Sequence, residues 1–223
     1  MFISIIIPAY NSNYMLIRTI KRIFKILKNK KFEIIVINDA SNNKLSFKVF
    51  NKIQKMKNVS LIFNSKNLGQ HNSTIKGLKK ARGKFIVTLD DDFRHDPKNI
   101  IPMIDLMKRK KLDIVYEINT FRYSYIRFYI SKINQILLNT SFKHLKNKTT
   151  SSYRLITNNF CKKIVLRKNY NPNLSCAALK NTKKIGNLKV KYKFNNHKMR
   201  YTLFKLIKLH SHLTKEFLKK LIY

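Results

Sequence analysis

Lys84-Phe85-Ile86-Val87-Thr88-Leu89-Asp90-Asp91-Asp92-Phe93-Arg94-His95-Asp96-Pro97 is an apolar, β-rich run that ends in acid. The chain has only 10 Asp and Glu against 48 Lys and Arg, for a formal net charge of +38, yet Asp90, Asp91, Asp92 and Asp96 fall together here. Like charges so close repel one another, and hard carboxylate oxygens at the end of a buried strand suit a divalent cation such as Mg²⁺ or Mn²⁺. Asp96-Pro97 reads differently, because Asp followed by Pro is a common way to start a helix.

Working outward, short apolar runs alternate with amphipathic helical patterns. Strands are expected over 2–8, 32–38, 59–63, 85–89 and 112–118, with helices over 14–28, 45–57, 70–82 and 97–110. Continuous apolar strands such as Ile34-Ile35-Val36-Ile37 are what a sheet covered on both faces requires, so the fold class is α/β, a mostly parallel sheet sandwiched by helices. In such sheets ligands bind at the carboxyl ends of the strands. That rule selects three loops: Tyr10-Asn11, Asn38-Asp39-Ala40-Ser41 and Asp90-Asp91-Asp92. Gly69, Gly77 and Gly83 lie between the third and fourth strands, with Asn67-Leu68-Gly69-Gln70 as a tight loop.

At 223 residues with 44% hydrophobic content the chain can bury one substantial core. No run reaches the ~18–20 apolar residues of a membrane span, and Phe2–Ile7 is too short for a secretory signal, so a cytosolic protein is expected. Cys161 and Cys176 are too few for a disulfide framework or a zinc site. The positive charge attracts polyanions: nucleic acid, anionic lipid headgroups, nucleotide diphosphates and lipid phosphates. The acidic triplet at the mouth of the expected site argues against nucleic acid. After Glu117 the sole remaining acid is Glu216. Two amphipathic helices are expected in this half, 123–145 and 201–223, and aromatics beside lysines on them fit either an interfacial membrane helix or packing on the core. His71 and His95 have no partners at metal-ligand spacing and read as loop residues.

The order Ile5-Ile6-Ile7-Pro8-Ala9-Tyr10-Asn11, Ile37-Asn38-Asp39-Ala40-Ser41, Asn67-Leu68-Gly69-Gln70, Ala81-Arg82-Gly83 and Leu89-Asp90-Asp91-Asp92 resembles the family 2 inverting glycosyltransferases of the GT-A fold, over residues 2 to 118. The resemblance implies a nucleotide-sugar donor, a divalent cation and inversion at the anomeric carbon. Asp39 matches the acid that bonds the nucleotide base, Tyr10 flanks the base, and Asn38 stands where the family commonly has Asp. Asp90 and Asp92 match the Asp-x-Asp pair that holds Mg²⁺ or Mn²⁺. The implied donor-binding set is Pro8, Tyr10, Asn11, Asp39, Gly69, Gln70, Asp90 and Asp91. It also implies a nucleotide-sugar-binding core over 1–118 and an acceptor-binding part with a C-terminal amphipathic helix over 119–223.

Within the family, Asn67-Leu68-Gly69-Gln70, Arg82-Gly83, the stretch from Asp90 to Pro97, the segment 127–134 and Thr150-Ser151-Ser152-Tyr153-Arg154-Leu155 are similar to the polyprenyl-phosphate sugar transferases. Arg200-Tyr201 stands where that branch has a Ser-Lys-Tyr turn, with His197 and Met199 departing from its pattern. This branch implies a polyprenyl phosphate acceptor and an enzyme peripheral on the inner membrane face, working in cell-envelope glycan synthesis.

The residue inventory points the same way. A hydroxyl acceptor needs a carboxylate base, with Glu117 the candidate, whereas a phosphomonoester, second pKa about 6, is already ionised. Arg127 and Arg154, with Arg122, are expected to grip phosphate oxygens, and Ser131 and Asn134 to donate to the same group. Asp92, Arg127 and Arg154 form the expected catalytic set. Transfer to a glycan hydroxyl, a basic nucleic-acid binding protein and a non-catalytic scaffold are the rival readings.

Overall fold

The computed structural model describes residues 1–120, 136, 142, 148–165 and 174–191. The chain divides into two compact units: Met1–Glu117 with Thr150–Leu188, and Ile118–Thr149 with Lys189–Tyr223. The described part of the second is short; in it Thr120 donates its N–H and hydroxyl to the Val190 carbonyl. The expected helices over 123–145 and 201–223 lie outside the described residues, apart from a few positions of the first, as do Arg122, Arg127, Ser131, Asn134, His197, Met199 and Arg200-Tyr201.

The first unit is built on a seven-stranded sheet. β1 (Phe2–Ala9) runs parallel to β2 (Lys31–Asn38), Ile5 opposite Ile34, and to β4 (Phe85–Thr88), Ile5 opposite Val87; β3 (Val59–Phe63) adds parallel to β2. β5 (Ile114–Asn119) does not pair with β4. Between them lies β6 (Arg154–Thr157), antiparallel to both, which sets Arg154 opposite Thr88 on one side and Tyr116 on the other. With β7 (Ile185–Val190) the order is β3-β2-β1-β4-β6-β5-β7. The α/β sandwich with a mostly parallel sheet is thus observed, and β6 and β7 are strands that the sequence pattern did not announce.

Alternation on the strands decides which helix each residue meets. Ile3, Ile5, Ile7, Ile34, Val36 and Val87 face one way and share a core with α1 (Tyr14–Ile26), α2 (Lys44–Gln54) and α4 (Ile100–Arg109) through Ile20, Phe50 and Met103. Ile6 and Ile37 face the other way, onto α3 (Gly69–Lys80). Gly77 lets α3 press against them, since a Cβ there would collide with both side chains. Asn13 and Asn43 cap α1 and α2 by accepting from the N–H groups of Met15 and Ser46. Asp96 caps the turn Pro97–Asn99 that leads into α4, as its sequence context implied. α5 (Asn158–Val165) and α6 (Leu174–Asn181) complete the unit. Among the described residues no helix is long and apolar enough to cross a membrane.

At the amino edge of the sheet, buried Glu33 accepts from Ser4 Oγ at 2.6 Å, from the Arg82 N–H at 2.9 Å and from the Arg82 guanidinium at 2.8 and 3.1 Å. Ser4 Oγ in turn accepts from the Gly83 N–H. Burial alone would raise the Glu33 carboxyl, but the bonds from Ser4 and Arg82 outweigh it and hold the pKa below the ordinary value.

Candidate active site

The strand order reverses between β1 and β4, so the carboxyl ends of these two strands mark the switch point of the sheet. A crevice at that point is the common ligand position of an open α/β sheet. Ser12, from the loop after β1, donates its hydroxyl to Asp91 Oδ2 from the loop after β4, so a hydrogen bond spans the switch point. Three non-glycine residues with left-handed backbone stand on these edge loops: Asn11 (φ 49°), Ala40 (φ 56°) and Phe93 (φ 60°). Such conformations cost energy and persist where the surroundings fix them, often at functional sites.

The fixing bonds run from loop to loop. Asn11 N–H donates to Ser41 Oγ at 2.9 Å, Asn42 N–H to Asn11 Oδ1 at 3.0 Å, and Ser46 Oγ to the Ser12 carbonyl at 3.2 Å. Asn38 Oδ1 accepts from the Ser41 N–H at 2.9 Å, so the Asn in place of an acid serves the turn itself. Asp39 is buried. Its Oδ1 accepts from Asn64 Nδ2 and the Leu68 N–H, and its Oδ2 from the Gly69 N–H, all at 2.8 Å. Gly69 provides the positive φ (82°) that this approach needs. A carboxylate offers about four acceptor positions, so about one stays open on Oδ2 after these three bonds.

At the end of β4 the three acids differ. Asp90 is partly exposed and accepts from Gln70 Nε2 at 2.5 Å and Ser152 Oγ at 3.0 Å, with the Arg94 guanidinium and His95 Nε2 each 3.8 Å away. Asp92 accepts from the Arg94 N–H at 3.1 Å and Nε at 2.5 Å. Asp91 turns to Ser12. Behind them, His95 Nδ1 is 3.3 Å from Glu117 Oε1 and its Nε2 is 3.4 Å from Ser152 Oγ, while its ring leans on Tyr153 at 5.2 Å. Glu117 is 1% exposed and also accepts from Asn99 Nδ2 at 2.7 Å.

β6 brings the cationic wall. Because it runs antiparallel, its first residues arrive at the carboxyl edge: Thr88 Oγ1 donates to the Ser152 carbonyl at 2.7 Å, and Arg154 follows. Arg154 is 9% exposed, donates to the Ser152 carbonyl at 3.4 Å and Ser175 Oγ at 3.3 Å, and lies over the Tyr116 ring. Burial first, then the Arg154 charge, push the His71 pKa down to about 4. His71 Nδ1 accepts from the Leu174 N–H, which leaves the proton of the neutral ring on Nε2. Tyr116 is pushed up to about 12, chiefly by burial; Arg154 and Ser175 favour its ionised form without reversing that. Cys161 is likewise raised to about 12 by burial, and neither cysteine forms a disulfide, so both are ordinary thiols.

The carboxyl edge therefore gathers Tyr10, Asn11, Asp39, Gly69, Gln70, Asp90, Asp91, Asp92 and Arg154. Pro8 is buried inside β1 opposite Ile37. Arg127 lies outside the described residues. His95, a loop residue by its sequence, bridges Glu117 and Ser152, and His71 opens α3. Ser152 and Arg94, the direct partners of Asp90 and Asp92, lacked any spacing that would single them out. Among the described residues no three His, Cys, Asp or Glu close a metal site by themselves. Two carboxylates on one loop nevertheless match Mg²⁺-type sites, which are completed by substrate phosphates. The residues fit such an ion if Arg94 releases Asp92 Oδ2.

The family model described as "Glycosyl transferase family 2" matches residues 4–171. A dolichol-phosphate mannosyltransferase of Pyrococcus furiosus is 32% identical over 111 residues, 48% of this chain and 30% of that protein. An undecaprenyl-phosphate 4-deoxy-4-formamido-L-arabinose transferase of Pseudomonas savastanoi pv. phaseolicola is 28% identical over 125 residues, 54% of this chain and 36% of that protein. These matches thus span only about a third of the curated relatives. The glucosyl-3-phosphoglycerate synthase of Mycobacterium tuberculosis, solved with Mn²⁺, uridine diphosphate and glucosyl-3-phosphoglycerate, has the same fold: TM-score 0.63 at 13% identity, covering 96% of this chain and 76% of that one.

Proposed function

The chain belongs to glycosyl transferase family 2, and from that premise we propose that it is an inverting enzyme moving a sugar from a nucleotide-sugar donor to a polyprenyl phosphate at a membrane surface. The observation that carries the reading is the seating of Asp90 at the strand-order switch, held by Gln70 and Ser152, with Arg154 two residues beyond Ser152. A cation held by the carboxylates, with a buried guanidinium on the neighbouring strand, would suit a leaving diphosphate on which negative charge builds.

In this reading the open position on Asp39 and the ring of Tyr10 receive the base. Asn11, Gly69, Gln70 and Asp91 shape the donor pocket around them, with Pro8 behind them inside β1. Asp90 and Asp92 hold Mg²⁺ or Mn²⁺, which when bound neutralises charge on the leaving diphosphate. Arg154, with Arg127 from outside the described residues, binds phosphate oxygens through charge-assisted bonds. The acceptor phosphate oxygen forms its bond to the anomeric carbon as the bond to the nucleoside diphosphate breaks on the opposite face.

A phosphate acceptor is ionised near neutrality and needs no base. Glu117, the one acid described beyond Asp113, is closed off behind Asn99 and His95, which disfavours a hydroxyl acceptor that would need it. The names of the two curated relatives carry lipid-phosphate acceptors as well. The test is a screen of nucleotide-sugar donors with Mg²⁺ or Mn²⁺, measuring nucleoside diphosphate release with polyprenyl phosphate, with oligosaccharide and with neither. Release that oligosaccharide stimulates and polyprenyl phosphate does not would refute the acceptor assignment.

A further inference from the structure

Of eight large apolar side chains exposed among the described residues, six stand at the carboxyl edge of the sheet. Tyr10 follows β1, Tyr14 opens α1, Leu45 and Phe47 lie in the first turn of α2, Phe63 ends β3, and Leu68 precedes α3. Tyr10 belongs to the proposed donor pocket. The other five have no role there, and Tyr14, Phe47 and Phe63 are 57%, 48% and 56% exposed. Scattered exposed apolar residues need no explanation, but a concentration at one edge marks an interaction surface.

Two further observations identify the partner. The loops that carry these side chains are bonded to one another through Asn11, Ser41, Ser46, Asp39 and Asn64, so the tips stand on one braced platform. The loops that carry them have exposed charge of a single sign. The first 89 residues contain only two acids, Glu33 and Asp39, and both are buried, while Lys44, Lys48 and Lys66 are exposed beside the apolar tips. Apolar and aromatic tips beside lysines, on loops that carry no exposed carboxylate of their own, are complementary to an anionic lipid surface: the rings enter the headgroup boundary while the ammonium groups meet lipid phosphates.

We propose that this edge, around Tyr14, Leu45, Phe47, Phe63 and Leu68, is a docking face for an anionic bilayer. The inference rests on the lipid-phosphate reading of the acceptor and adds the orientation that reading requires. An acceptor phosphate anchored by its polyprenyl chain stays at headgroup level, and docking this face brings the Asp90 and Arg154 edge down to it.

The test is sedimentation of the full chain with phosphatidylglycerol vesicles and with phosphatidylcholine vesicles at moderate salt, for the wild type and for the double variant Phe47→Ser, Phe63→Ser. Transfer to a short, water-soluble isoprenoid phosphate is assayed in parallel. The expected result is wild-type binding to the anionic vesicles only, at least a tenfold weaker partition for the double variant, and an unchanged melting temperature and rate on the soluble acceptor. A variant that partitions like the wild type overturns the docking face. So does a wild type that prefers single-stranded RNA of matched charge and loses that preference in the variant, which would make the edge a nucleic-acid surface. Failure of the acceptor reading looks different: the vesicle results hold while neither soluble nor membrane-borne isoprenoid phosphate accepts sugar.

Discussion

The same sheet carries carboxylates at both edges, and the two groups are treated in opposite ways. At the amino edge Glu33 is sealed and fully engaged, by Ser4 on the neighbouring strand and by Arg82, and nothing about it invites a ligand. At the carboxyl edge Asp90 and Asp92 are held by Gln70, Ser152 and Arg94, side chains that can be drawn off by a stronger partner, on a loop whose backbone is strained at Phe93 and beside loops strained at Asn11 and Ala40. An acid that closes a network serves the fold, whereas an acid with exchangeable partners at a strand-order switch is available for chemistry.

The largest expected effect tests that division directly. Asp92→Ala should lower sugar transfer by about 10²–10³-fold, the scale of losing one charge-organising group, with melting temperature little changed. A fall in melting temperature of the same size as that for a core substitution would place Asp92 with Glu33. The converse substitution, Glu33→Ala, strands the Ser4 and Arg82 donors and should cost about 1–3 kcal/mol in denaturant unfolding while leaving the rate per folded molecule intact. Gly77→Ala should cost a similar ~1–3 kcal/mol through its clash with Ile6 and Ile37.

Acid should separate the edges in sequence. The folded pKa of His71, about 4, lies below its ordinary 6.5. Its contribution to stability is therefore complete above pH 6.5 and is lost as pH falls toward 4, because the unfolded chain binds the proton first. Glu33, also depressed in the folded state, contributes fully above its ordinary 4.5 and loses that contribution only at lower pH. Melting temperatures measured from pH 7 to 3 should show His71→Gln flattening the upper part of the acid limb and Glu33→Gln the lower part; a single shared window would contradict the separation. The smallest effect belongs to Arg22→Ala, which removes a 3.4 Å ion pair with Asp96 near the surface and should change stability by about 0.2–1 kcal/mol.

The first five strands and the loops at their carboxyl ends were legible because continuous apolar runs such as Ile34-Ile35-Val36-Ile37 have no other stable home, and each ends in turn chemistry. Asp90 and Asp92 stood out because acids are so scarce. The partners of those acids were not legible. Ser152 reaches Asp90 across 62 positions through a strand of four residues that begins with an arginine, too short for periodicity to register. The link from Glu117 to His95 has the same cause: strands and helix ends bring them together, and neither neighbourhood shows a local pattern.

The reversed strand β6 also orders events during synthesis. β1 to β4 can pair as soon as residue 88 has emerged, but β5, made next, finds no seat beside β4 until residues 154–157 arrive to stand between them. For some 40 residues of elongation, the growing polypeptide holds two bare strand margins, each a template for unwanted association. Nascent chains arrested before residue 150 should therefore be the ones that chaperones retain.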